Sequence, residues 1–358
     1  MARPRVSIIT PAYDQEAFIF ACVESVLGQS FRSWEMIIVD DGSRDATPRI
    51  ARRLARRDPR ISVIAHGTNW GLGRLAETYN QALDRCRGRW VAVLEGDDRW
   101  PADKLARQTA EVEAAEIVLG YGVAPAIDSG GRVIDDRPIP DKDYLRYFED
   151  FRGSALVPLL LRPCYIPAVA VMVRREILKR TGGFVQPPGV PAVDHPTWLR
   201  LSLEGPFLGS SRVLGYHRLH RQAQSLLRPV EGTKAEMAVS FFFLDEARRR
   251  QDRRPPSFWS RVRSAMAGSW SRQLVRAHWN EGRAALASGR KGRARRSFLR
   301  GLLVRTGFEG RLPGTVPARL ACLLGFAFAL TPLSLERLLD RLRGRRLSLY
   351  ESLAREED

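Results

Sequence analysis

The feature that most constrains this chain is an alternation in its first hundred residues. Four short apolar runs, Val6 to Thr10, Trp34 to Val39, Ile61 to Ala65 and Trp90 to Leu94, are separated by stretches with helical spacing. Those stretches are Ala17 to Leu27, Thr47 to Arg57 and Leu75 to Cys86. In the first, Phe18, Cys22, Val23 and Val26 share one side; the second carries a basic face. Unbroken apolar strands between amphipathic helices belong to a parallel sheet covered on both faces. Crossovers in such sheets are right-handed, and ligands sit beyond the C-terminal strand ends. The expected fold class is therefore α/β with a mostly parallel central sheet. Attention falls on three loops: Pro11 to Glu16, Asp40 to Asp45 and Glu95 to Trp100.

Farther along, the pattern changes. Asp128 to Gly131 reads as a hairpin turn, Gly182 and Gly183 follow a short helix, and Asp194 to Leu203 has helical character. After Ser225 strand signals stop, and 231–250, 258–287 and 291–304 read as helices. The 358 residues fit two domains, expected as a catalytic part over 1–226 and a helical part over 227–358. Charge divides the same way. Residues 1–225 hold 31 basic and 27 acidic side chains, whereas 226–358 hold 27 and 13. A basic surface attracts polyanions, an anionic bilayer among them, although only five of the 58 basic residues are lysine and an arginine-rich codon bias explains part of the excess. The stretch from Arg290 to Arg296 precedes Phe298, Leu299, Leu302 and Leu303, a basic face opposite an apolar one. No nucleic-acid motif accompanies the charge, so no nucleic-acid partner is expected. The four cysteines are far apart, which argues against a zinc ribbon or disulfide framework. Val6 to Ile9 is too short for a signal-peptide core, and Leu320 to Leu330 falls short of the ~20 apolar residues of a spanning helix. A cytoplasmic location is expected, with the C-terminal part either packed on the catalytic part as a helical domain or in peripheral contact with the inner face of the plasma membrane.

The loops carry the chemistry. Asp40 and Asp41 follow one apolar run directly, and Glu95, Asp97 and Asp98 follow another. Carboxylates crowded at strand ends repel one another unless a cation or hydrogen-bond donor sits between them. Mg²⁺ and Mn²⁺ prefer oxygen ligands and commonly share them with substrate phosphates. Neither GxxxxGK[ST] nor GxGxxG after the first strand is present, so kinase and dinucleotide readings lack support.

Several ordered blocks together resemble bacterial family 2 glycosyltransferases of the GT-A fold. They are VSIITPAYDQEAFIFACVESVLGQSFRSWEMIIVDDGSRDAT, LEGDDRWPADKLARQ, the GGF ending at Phe184, VDHPTWLRLSLEG and YHRLHRQAQS. The resemblance covers about 4–225 and implies a donor that is a nucleotide-diphosphate sugar, with uridine the expected base. It implies that Pro11, Ala12 and Tyr13 wall the base pocket, that Asp41 accepts a hydrogen bond from the base, and that Asp40 supports that loop. It assigns Asp97 to a Mg²⁺ or Mn²⁺ ion and Asp98 to ribose, metal or sugar. Asp194 matches the catalytic base of inverting members, and Trp198 and Arg200 continue that block. Arg218 and His220 match a basic pair closing near the diphosphate. Arg74 falls in a segment, 69–80, that fits the family less well, and is assigned to the diphosphate.

Two departures stand out. The acidic block opens with Glu95, and Val193 stands where the family often has Glu before its base. His195 adds a second possible proton acceptor beside Asp194. Trp70, Trp90 and Trp100 are aromatic surfaces on which a sugar acceptor could stack, with Trp90 better suited to sheet core. His66 reads as a turn residue. The implied reaction is one displacement at the anomeric carbon, with a glycan or lipid-linked acceptor activated by Asp194 and the diphosphate stabilised by the cation. The rival class is a non-catalytic sugar-nucleotide or glycan-binding module on the same scaffold.

Overall fold

The computed structural model describes residues 3–135, 155–220, 229–250, 255–304, 322, 323 and 326. They fall into two compact units. The first gathers residues within 1–160, 164–219 and 242–250; the second gathers those within 161–163, 220–241 and 251–358.

The first unit is built on a seven-stranded sheet. Its strands are β1 (Val6–Ala12), β2 (Trp34–Asp40), β3 (Ile61–Ala65), β4 (Trp90–Val93), β5 (Leu119–Val123), β8 (Val171–Arg174) and β9 (Phe207–Val213), in the order β3-β2-β1-β4-β8-β5-β9. The first four run parallel; β8 is antiparallel to both β4 and β5. A small second sheet joins β10 (His217–Arg218), β6 (Ala126–Ile127) and β7 (Val133–Asp135). Asp128 to Gly131 closes the β6–β7 hairpin, as its turn residues foretell, with the Gly131 amide on the Asp128 carbonyl.

Alternate residues of the central strands supply the two faces. Val6, Ile8, Trp34, Met36, Ile38, Trp90 and Ala92 form one buried layer. Onto it pack Ile19, Cys22, Val23 and Val26 of α1 (Ile19–Leu27), Ala51 and Leu54 of α2 (Thr47–Arg57), and Leu105 and Val112 of α4 (Lys104–Glu113). The intervening Ile9, Ile37, Val39, Val91 and Val93 are equally buried, and α3 (Leu75–Arg85) packs on β1 and β2. At ~1.5–3 kcal/mol for each buried aliphatic side chain, this layering is what fixes the register. β1 runs past the expected Val6 to Thr10 and continues through Pro11 to Ala12. The Pro11 carbonyl accepts from Gly96, so the missing Pro11 N–H would face the side where β4 has already ended, and no ladder bond is lost. Three further short helices follow: α5 (Leu156–Leu161), α6 (Arg175–Arg180) and α7 (Asp194–Leu201).

The remaining helices are α8 (Pro229–Arg250), α9 (Pro256–Ala287) and α10 (Lys291–Leu303). In the second unit α9 and α10 form a hairpin around Gly289, whose φ of +68° suits the turn. Phe298 is buried, its ring tilted against Trp279 with centroids 5.3 Å apart, and Leu302 is partly covered. This corrects the expected apolar face of α10: Phe298 and Leu302 serve the protein core, and Leu299 and Leu303 remain exposed, beside Arg296 and Arg300. Most of Leu320 to Leu330 lies outside the described residues. Among those described, no helix is long and apolar enough to cross a membrane.

Candidate active site

Parallel pairing of β1 with β2 and β4 brings three loops to one sheet edge. Ala12 stands opposite Asp40, and Ile9 opposite Val93. The Asp41 amide then donates to the Ala12 carbonyl and the Gly96 amide to that of Pro11. Gly96 eases this approach, because a Cβ there would displace the end of the Gln15 side chain and crowd Ala12 and Ile19. Pro11 and Ala12 are buried, and Tyr13 is exposed at the rim. The 13–16 loop is laced to 43–47: Asp14 and Gln15 amides donate to Ser43 and Thr47 hydroxyls, and Asp14 accepts from the Arg44 amide.

Beyond β4, carboxylate oxygens of Glu95, Asp97 and Asp98 come within 4.8 Å of one another. Asp98 is buried and accepts from the Arg218 amide at 2.8 Å. Glu95 accepts the buried Tyr79 hydroxyl at 2.6 Å. Burial first, and then the charges of Asp98 and Asp97, push the Glu95 carboxyl up to about 8. Burial likewise raises Asp98. Paired backbone bonds between Arg99 and Tyr216 tie this loop to β10. They place His217 Nδ1 3.5 Å from Asp98. Burial would lower the imidazole, but Asp98, then Glu95 and Asp97, outweigh it and hold it at about 9. Three carboxylates crowded at one strand end suit a hard divalent cation, which would offset their mutual repulsion. Glu95, Asp97 and Asp98 thus fit Mg²⁺ or Mn²⁺.

Comparison with known proteins decides the family. The pattern described as Glycosyl transferase family 2 matches residues 7–181. A Bacillus subtilis (strain 168) protein named as a teichuronic acid biosynthesis glycosyltransferase, TuaG, is 34% identical over 218 residues, 61% of this chain and 80% of that one. The chain belongs to the family 2 glycosyltransferases. It is an enzyme, not a bare binding module. Its fold is shared with TarS 1–349 of S. aureus, solved with UDP-GlcNAc (TM-score 0.57, 16% identity, 91% of this chain and 90% of that). It is shared too with the mannosyltransferase PcManGT of Pyrobaculum calidifontis, solved with GDP-Man and Mn²⁺ (TM-score 0.56, 20% identity, 100% of this chain and 87% of that). The sheet with its antiparallel β8 is the GT-A arrangement.

In this glycosyltransferase several expected residues occupy other roles. Asp41, expected to accept a hydrogen bond from the base, already has four partners within the protein. Its Oδ1 faces His66 Nδ1 at 2.7 Å and the Trp70 amide; its Oδ2 accepts from the Gly71 amide and the Asn69 side chain. Four partners exhaust a carboxylate, so Asp41 first of all anchors the 66–71 loop. His66 is more than a turn residue, because its Nε2 also meets Gln81 at 2.9 Å and Trp70 stacks on its ring at 3.7 Å. Asp40 is buried, and burial raises its pKa. Arg74 is paired with Glu77 and lies over Trp70 at 4.0 Å. The Arg218 guanidinium is committed to the carbonyls of Asp97, Asp128 and Ser129, where it braces two loops. His220 is buried and belongs to the second unit.

Asp194 is the first residue of α7 and is partly exposed. His195, Trp198, Leu199 and Leu201 bury the rest of that helix, with Trp198 Nε1 on the Ile166 carbonyl. A carboxylate there is favoured by the helix dipole. Its charge acts on the same Tyr79 hydroxyl that Glu95 accepts. The expectation of His195 as a second proton acceptor is corrected. It is fully buried with Nε2 3.1 Å from the Leu159 carbonyl, a contact that needs the proton on that nitrogen, and burial lowers its pKa. Trp90 and Trp100 are likewise buried, Trp100 donating to the Val169 carbonyl, so neither offers a face to an acceptor. Sequence reasoning missed Tyr79 and His217. The only trace of Tyr79 was its inward position on α3 with Ala82 and Leu83.

Proposed function

We propose that this enzyme transfers a sugar from a nucleotide-diphosphate donor, a UDP-sugar, to a glycan or lipid-linked acceptor in cell-envelope polysaccharide synthesis, with inversion. The observation that carries the reading is the meeting of Glu95, Asp97 and Asp98 at one strand end. The named activity of TuaG and the ligands of TarS and PcManGT support donor and acceptor class. Pro11, Ala12 and Tyr13 wall the base, and Asp41 sets the loop facing it. Asp97, with Glu95 and Asp98, would hold a divalent cation, which when bound stabilises the leaving diphosphate as a Lewis acid. Tyr79 fixes Glu95, and the Arg218 amide fixes Asp98, so the carboxylates keep their spacing through the reaction. Asp194 takes the proton of an acceptor hydroxyl brought within ~3 Å. Attack on the face opposite the diphosphate then inverts the anomeric carbon. In the second unit, Leu299 and Leu303 of α10, with Arg296 and Arg300, bring it to an anionic membrane carrying the acceptor. The test is an array of nucleotide sugars read by released nucleoside diphosphate, for wild type and Asp97→Ala. Turnover of one donor, lost in the variant together with Mn²⁺ binding, is expected. Equal turnover by both chains would overturn the assignment of Asp97.

A further inference from the structure

We infer that α2 is a second lipid-docking face, one that seats the catalytic unit itself on an anionic bilayer. The helix buries Thr47, Ala51 and Leu54 and exposes Arg49, Arg52, Arg53, Arg56 and Arg57. At 100° per residue these five guanidinium groups fall within an arc of about 140°, along a helix about 16 Å long. The helix has no acidic residue. Its arginines are instead one another's neighbours: 49 with 52 and 53, 52 with 56, and 53 with 56 and 57 stand three or four residues apart. Each such like-charge pair weakens the helix.

The acids nearby do not relieve this. Asp45 accepts from the Glu16 and Thr47 amides, Glu16 from the Ala46 amide, and Asp58 is paired with Arg60. Among the described residues, no ion pair involves Arg49, Arg53, Arg56 or Arg57; the charge of Arg52 reaches Asp40. The patch is also local. Without these five residues, 1–225 hold 26 basic against 27 acidic side chains, so α2 carries the whole positive excess of that part of the chain.

Charge complementarity calls for a polyanion, and the shape selects a bilayer. The arginines stand on the outer, convex side of a helix whose other side is core, and α2 exposes no aromatic ring on which a base or sugar could stack. A laterally mobile array of phosphates neutralises all five without fixed spacing. This surface is independent of the donor chemistry, and it shares with the proposed function only the membrane as destination.

The test is co-sedimentation of the full chain with phosphatidylglycerol-containing and pure phosphatidylcholine vesicles across a salt series. Wild type is compared with Arg49→Gln/Arg53→Gln/Arg56→Gln/Arg57→Gln and with Leu299→Ser/Leu303→Ser; Arg52 is left in place because of Asp40. Each basic residue at such a surface multiplies partitioning by about five. The arginine variant is therefore expected to bind the anionic vesicles at least about tenfold more weakly at low salt, with a melting temperature no lower than wild type and unchanged donor hydrolysis in solution. Wild-type partitioning by the arginine variant, with binding lost only in the leucine variant, would overturn this inference and leave the second unit as the membrane contact. Absence of binding by wild type would overturn both, and salt-sensitive binding to duplex DNA in its place would assign α2 to nucleic acid.

Discussion

Two partly buried glutamates separate the enzyme's two regions. Glu95, in the catalytic unit, sits against Asp97 and Asp98 and is pushed up to about 8. Glu281, on α9, sits against donors: Ser297 Oγ at 2.6 Å and Arg293 at 3.0 Å, both on α10. Burial would raise Glu281 as well, but the Ser297 and Arg293 bonds and the Arg293 charge outweigh it and hold it below the usual carboxylate range. His278 completes the second cluster, its carbonyl 3.0 Å from the same Ser297 Oγ. One chain thus treats the same side chain in two ways. Where its neighbours are donors, a glutamate joins helices. Where they are carboxylates, it costs stability and gains sense only when a cation or substrate is bound.

The largest expected effect falls on the catalytic side. Asp194→Asn should lower turnover by ~10²-fold or more while leaving UDP binding close to wild type, because a general base acts on the transition state and not on donor affinity. Calorimetric titration of UDP beside initial rates checks both halves. Next comes the clasp between α9 and α10. Ser297→Ala should destabilise the protein by ~1–3 kcal/mol, as it strips a buried hydrogen bond from Glu281, with rates per folded molecule unchanged; chemical denaturation gives the first and activity the second. Glu95→Gln should do the opposite. It removes a carboxyl that burial and two acidic neighbours push up to about 8, so the cation-free melting temperature should hold or rise. The stabilisation on adding Mn²⁺, which for wild type at a hundredfold excess over Kd is ~2.7 kcal/mol, should shrink. Equal behaviour of Glu95→Gln and Ser297→Ala in cation-free melts would erase the contrast. The smallest effect is that of Tyr79→Phe. Losing one hydrogen bond, ~0.5–1.5 kcal/mol, should weaken Mn²⁺ binding severalfold, read by the electron paramagnetic resonance of free Mn²⁺.

The first four strands with the helices between them, and the acidic loops, were legible because they rest on local pattern, whereas β5, β8 and β9 were not read. Apolar runs of five or six residues, the Thr47–Arg57 helix and the Asp128–Gly131 turn each carry their own signal within a few residues. What was not legible depends on pairs far apart in the chain. Asp41 meets His66, Asn69 and Trp70; Tyr79 meets Glu95; His217 meets Asp98 across 119 positions. No periodicity reports such pairs, and so neither the four partners of Asp41 nor the brace made by Arg218 between two loops could be read from the sequence. His195 and Phe298 misled for a related reason. A polar or apolar side chain beside a site or on a helix face says nothing of which neighbour covers it until the packing is known.

The central claim is that the Glu95–Asp97–Asp98 cluster works through a divalent cation held for sugar transfer. The most direct measurement is release of nucleoside diphosphate from a UDP-sugar, with one enzyme stock assayed in EDTA and again after Mg²⁺ or Mn²⁺ is restored. The account predicts turnover that disappears in EDTA, returns with the cation, and is absent from Asp97→Ala under both conditions. Undiminished turnover in EDTA by wild type and by Asp97→Ala would contradict it.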